Sequence, residues 1–92
     1  MADNRLDMDE LRKQIDTIDE QLVHLMAKRF ALVKEVKAIK QASGKAAFDD
    51  DRWNQIKKRV EQFSSKENLN PQAVQKIFDA IHDYALNQVY RD

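Results

Sequence analysis

One apolar seam limits what this chain can fold into more than any other feature. Leu11, Ile15, Ile18, Leu22, Leu25, Leu32, Val36 and Ile39 recur at steps that alternate four and three, the helical period with a coiled-coil flavour. The seam predicts one helix from about Asp7 to about Ala42, ended by Ser43-Gly44. It contains no Pro or Gly to kink it. Some thirty-five residues of helix are roughly 50 Å long at 1.5 Å per residue. A compact chain of 92 residues has a radius of gyration of only ~12 Å. Two shorter helices cannot cover such a seam along its whole length, but a second copy can, by pairing long helix with long helix. The expected fold is therefore all-α, an intertwined homodimeric helical bundle. A kinked first helix in a monomeric bundle is the alternative.

The remainder of the chain supports the helical reading. Asp49, Asp50 and Asp51 form an acidic start for a second, short helix. Its apolar face is Trp53, Ile56, Val60 and Phe63, and the polar run Ser64 to Asn68 reads as its end. Asn70-Pro71 is an N-cap followed by Pro at the first helical position. A third, medium helix then carries Val74, Ile77, Phe78, Ile81, Tyr84, Ala85 and Val89. One Gly and one Pro are too few turn formers for a sheet protein. The whole reads as one domain, 1–92.

Composition removes several function classes. Sixteen basic and sixteen acidic side chains cancel, so the basic footprint of a nucleic-acid binder is missing. With no cysteine, disulfides and thiolate–metal sites are excluded. The N-terminal MADNRLDMDE has no apolar stretch of signal-peptide type, and no segment is apolar enough to span a bilayer. The expected location is the cytoplasm. His24 and His82 have no His or Cys partner at ligand spacing and read as surface or boundary residues. There is no nucleophilic triad, phosphate loop or glycine-rich fingerprint.

What remains is a set of polar residues where apolar ones belong. Between Leu25 and Leu32 the heptad demands an apolar residue, and Arg29 stands there. A guanidinium facing a core costs several kcal/mol unless it is paired. Either a carboxylate of the protein meets it, as a register device, or an anionic ligand does. Lys40 follows eleven residues later, close to three full turns, so both side chains point the same way. Their Cα atoms are roughly 16 Å apart by helical rise. Two long cations reaching toward each other leave a gap suited to a small doubly charged molecule. Lys40 alone would be a solvated helix-end lysine. Arg12 sits at the seam's edge, and Arg52 lies on the first turn of the second helix behind three aspartates. An exposed ion pair is the simple account of Arg52. Gln88 follows Ile77, Ile81 and Tyr84 on an apolar face. A frayed last turn would account for it equally well.

The spacing of Arg12, Arg29, Lys40, Asp49 and Arg52 resembles the active-site pattern of the helical, type II chorismate mutases. The resemblance runs from about Leu6 to Gln88 and includes the order long, short and medium helix. It implies an interlocked all-α dimer with two equivalent sites and no metal or cofactor. Arg12 would cross into the other protomer's site, while Arg29 and Arg52 would bind carboxylates of a small dicarboxylate substrate. Lys40 and Gln88 would donate to its ether oxygen, with Arg29, Lys40 and Gln88 carrying the chemistry. Asp49 would hold the loop and the polar end of the site. Chorismate rearranges to prephenate by a pericyclic shift without nucleophile or proton transfer. An enzyme can only fold the substrate into its reactive conformer and stabilise charge at the breaking C–O bond. Arginine clamps and amine or amide donors suit those two tasks.

Two positions depart from the family pattern. Mutases of this family carry a Glu directly after the second helix's arginine, and this chain has Trp53, which cannot accept a hydrogen bond. The family's small hydroxyl residue, four positions before its glutamine, is Tyr84 here. Counting from Phe78 instead would put Ala85 and Val89 in those two roles. Tyr84 and Gln88 are preferred because spacing and polarity are kept. The departures resemble isochorismate pyruvate lyases, as do the segments HDYALNQ and KRFALVKEVKAIK. Those enzymes release salicylate and pyruvate from isochorismate. The sequence thus leaves a mutase first, a lyase second and a non-catalytic helical dimer third. Four cations kept around one cavity argue against the last.

Overall fold

The computed structural model describes residues 4–46 and 49–90, with side chains from residue 7 onward. The N-terminal stretch that the sequence reading examined for a leader lies partly outside them. Helix α1 spans Asn4–Ser43, α2 Asp50–Lys66 and α3 Pro71–Tyr84, and a π-helical turn, Ala85–Val89, follows α3 directly. The expected all-α class with three helices is therefore found; α3 has 14 residues against 17 in α2, and becomes the longer of the two only with the five-residue π-turn that continues it. Among the described residues no helix is long and apolar enough to cross a membrane. The chain groups into two compact units, Met1–Leu32 and Val33–Asp92.

The described residues of the first unit are helix alone. Its seam side chains from Leu11 to Leu32 are 52–62 % exposed, so the stripe that made the helix predictable is bare within one chain. Within it the Thr17 Oγ1 donates back to the Lys13 carbonyl at 3.1 Å.

The second unit holds most of the local design. Helix α1 ends in a Schellman motif: the Lys45 N–H donates to the Lys40 carbonyl at 2.9 Å and the Gly44 N–H to that of Gln41 at 3.3 Å. Gly44 has φ +71°, the left-handed value this closure needs and which glycine adopts without strain. Asp49 caps α2, its Oδ1 accepting from the Arg52 N–H at 3.0 Å. Asn70 caps α3 in the same way, accepting from the Ala73 N–H at 3.0 Å ahead of Pro71.

The end of α2 falls inside the run from Ser64 to Asn68 that the sequence reads as its stop, and the helix itself reaches Lys66. Ser64 is buried, and its hydroxyl donates to the Val60 carbonyl at 2.6 Å, so the polar group is satisfied inside the helix. The true stop is Asn68 at φ 60°. Its N–H donates to the Ser65 carbonyl at 3.1 Å, and that of Leu69 to Ser64 at 2.8 Å. This is a second Schellman closure, with Asn in place of Gly.

Helices α2 and α3 pack on each other, and Trp53, Ile56, Val60 and Ser64 on α2 and Phe78, Ile81 and His82 on α3 are buried or half-buried. The Trp53 and His82 rings stack with centroids 4.0 Å apart and 12° between planes. Phe63 and Ile77, assigned to the apolar faces from the pattern, are 54 % and 61 % exposed. Among the described residues Val60 and Ala85 are the buried apolar side chains. That is a small core for any independent domain.

Candidate active site

The seven candidate side chains fall on both units. Arg12 and Arg29 belong to α1 before Leu32, Arg12 exposed and Arg29 half-buried. They are seventeen positions apart on one continuous helix, or roughly 26 Å by helical rise. Two arginines at that distance cannot close on one small dianion from the same helix.

Lys40, Asp49, Arg52, Tyr84 and Gln88 belong to the second unit. Lys40 is half-buried on the last turn of α1, where the Schellman closure engages its own carbonyl. Its ammonium lies 5.6 Å from the centroid of the Tyr90 ring, within cation–π range. Asp49 and Arg52 are brought together as N-cap and third helical residue of α2. This gives the carboxylate a definite structural duty whatever else it does. The Arg52 guanidinium contacts Gln55 through Nη1–Oε1 at 3.5 Å and is otherwise exposed. Trp53, next in sequence, turns its ring to His82, with the Lys57 ammonium 5.9 Å from its centroid.

The register of α3 has a structural basis. Ala85 is buried and Val89 half-buried, while Tyr84 is 50 % exposed and Gln88 exposed. Packing within the chain therefore uses Ala85 and Val89, and the polar pair faces outward. The π-turn lies between the two alternatives. The Tyr90 N–H donates to the Ala85 carbonyl at 3.0 Å, five residues back. Such a turn winds in an extra residue and re-aims every side chain beyond it.

Two further side chains at this end escaped the sequence reading. The Lys37 ammonium donates to the Val89 carbonyl at 3.1 Å across fifty-two positions, and Tyr90 faces Lys40. The available signal for Lys37 was its place one turn before Lys40 on the same helix. Nothing local could have identified Tyr90. The groove between α2 and the start of α3, lined by residues including Asn54, Lys57, Glu61, Gln72 and Asp79, contains none of the seven candidates.

Comparison with known proteins bears on what these residues serve. The model of the family described as chorismate mutase type II matches residues 11–90. A protein named chorismate mutase, from Methanocaldococcus jannaschii, is 34 % identical over 83 residues, covering 88 % of this chain and 84 % of that protein. Both comparisons point to mutases, and nothing in them favours the pyruvate lyase.

Proposed function

The chain belongs to the chorismate mutase type II family, and from that premise we propose that it converts chorismate to prephenate in aromatic amino-acid biosynthesis, as a homodimer with two shared sites. The match over residues 11–90, which includes every candidate side chain, carries this reading. The reaction class is an intramolecular rearrangement, so the protein's part is to hold and to stabilise.

Arg29 and Arg52 clamp the two substrate carboxylates from one protomer, and Arg12 reaches in from the other. The separation of Arg12 and Arg29 along one helix supports this division, as does the bare seam from Leu11 to Ile39. Eight half-exposed aliphatic side chains on one stripe would gain on the order of 1 kcal/mol each by full burial. A partner helix in the seam supplies the missing core. Chorismate mutase activity thus belongs to a single domain completed by its twin.

Lys40 and Gln88 donate to the ether oxygen as its bond breaks. Tyr84 and Gln88 are the ligand-facing pair of the last turn because both are exposed, whereas Ala85 and Val89 are engaged in packing. Asp49 fixes the Arg52 backbone through the N-cap bond and so sets where the guanidinium starts. Trp53 is absorbed by the stack on His82 and offers no acceptor to the substrate hydroxyl. One charge-assisted hydrogen bond is worth about 1.5–3 kcal/mol, so the enzyme is roughly ten- to hundredfold slower than it would be with a carboxylate acting there. The biosynthetic character of the family supports a cytoplasmic location.

The test is direct. Purified protein is given chorismate and isochorismate in separate reactions and the products are identified. Prephenate from chorismate supports the reading. Salicylate from isochorismate without prephenate from chorismate contradicts it.

A further inference from the structure

We propose that Lys37 and Tyr90 are positioning residues that fasten the π-turn to the end of α1 and so set Gln88 against Lys40. The inference rests on the proposed roles of Lys40 and Gln88.

A helix that ends in a chain segment leaves its last carbonyls without helical partners. Here the Val89 carbonyl is met by the Lys37 ammonium at 3.1 Å, in a part-buried setting. A cation on a terminal carbonyl is a charge-assisted bond placed at the favourable end of the helix dipole. One turn further along α1, the Lys40 ammonium stands over the Tyr90 ring. Two lysines from adjacent turns of one helix therefore hold two consecutive residues at the end of another. Both lysines and both of their targets are half-buried, unlike the solvated lysines elsewhere on the surface.

What this fastening controls follows from the π-turn. The i→i+5 bond from Tyr90 to Ala85 spans the segment that contains Gln88. An ordinary α-turn would aim that side chain about 100° differently per displaced residue. Short π segments are intrinsically less favourable than α and need outside support to persist. Lys37 supplies it through the backbone, without a side chain entering the ligand space. Tyr90 acts on the ammonium itself. Its ring holds Lys40 near the π-turn by a contact weak enough for a ligand oxygen to displace.

The experiment uses the full chain with chorismate as substrate and measures kcat and KM separately. It is joined by amide exchange at Tyr90, whose N–H closes the π-turn. The variants are Lys37→Met and Tyr90→Leu, the conservative Lys37→Arg and Tyr90→Phe, and Lys40→Ala as a control on the site itself. Lys37→Met and Tyr90→Leu are expected to lower kcat about tenfold with KM changed by less than about threefold, since misaligned donors act on the transition state. Lys37→Met should also speed Tyr90 amide exchange. Lys37→Arg and Tyr90→Phe should restore kcat, because the charge and the ring are kept. Folded Lys37→Met and Tyr90→Leu proteins with unchanged kcat, beside an inactive Lys40→Ala, would overturn the proposal while leaving the site reading intact. Full activity in Lys40→Ala would instead remove the site reading. Amide exchange then decides the fastening alone: unchanged exchange at Tyr90 in Lys37→Met overturns it.

Discussion

The stretch of α1 before Leu32 and the helices after it are built from similar residues but finished to different degrees. In the later part the helix ends and several side chains have named partners. Gly44 and Asn68 close helices by Schellman bonds, and Asp49 and Asn70 open them. Trp53 stacks on His82, and Lys37 holds the Val89 carbonyl. In the earlier part the apolar seam is as regular as a coiled coil, yet its side chains from Leu11 to Leu32 stay more than half exposed. Local signals are completed inside one chain because their partners lie within a few residues. A seam of this length stays exposed in the single chain, and its regularity suits pairing with a second helix.

The comparison breaks most severely if the seam is spoiled. Leu25→Asp would place two carboxylates, one from each copy, in the paired helices. The expected cost is several kcal/mol per copy, enough to lose both the dimer and the helical signal at micromolar concentration. Sedimentation of the unaltered chain should give twice the 10.8 kDa chain mass. A helical, folded monomer of Leu25→Asp would show that α1 is supported from within its own chain.

Arg29→Ala comes next in effect and separates ligand from scaffold. The dimer should remain helical, because Arg29 is one half-buried side chain on a long continuous helix. Affinity for a dicarboxylate transition-state analogue should fall by about a hundredfold or more, the scale of losing one buried charged partner. Calorimetric titration checks this. Unchanged affinity would make Arg29 a structural residue only.

How much of this was legible in the sequence differs by residue. Asp49, Asn70 and Gly44 were readable because a cap depends on identity and immediate neighbours. The class and order of helices followed from periodicity. The run from Ser64 to Asn68 marked the end of α2 but not which of its residues closes it: the Ser64 hydroxyl is satisfied by its own helix at Val60, and Asn68 makes the turn. The Trp53–His82 stack and the Lys37–Val89 bond join residues 29 and 52 positions apart, and no local pattern encodes them. The π-turn left a trace in the choice between Tyr84/Gln88 and Ala85/Val89, one residue out of step. Arg29 was visible as a break in an apolar rhythm; whether each cation serves its own chain or a second copy is not written in a single sequence.

Smaller effects sharpen the picture of the later helices. Trp53→Ala should remove the stack on His82 and its share of burial, lowering stability by roughly 2–3 kcal/mol. Denaturant unfolding at fixed protein concentration measures this. A change under about 0.5 kcal/mol would mean the stack is incidental. Asn70→Ala should cost only about 1 kcal/mol, the usual value of an N-cap, and leave kcat unaltered. A large loss of activity there would place the start of α3 closer to the chemistry than its cap role allows.

The central claim is that each site is built from two copies, and complementation tests it most directly. Arg12→Ala and Arg29→Ala homodimers should each be inactive. Unfolded together in equal amounts and refolded, they should form mixed dimers in about half of the population, each with one intact site of two. The account predicts recovery of about a quarter of the unaltered activity. Mixed dimers demonstrated by mass, with no activity recovered, would contradict it.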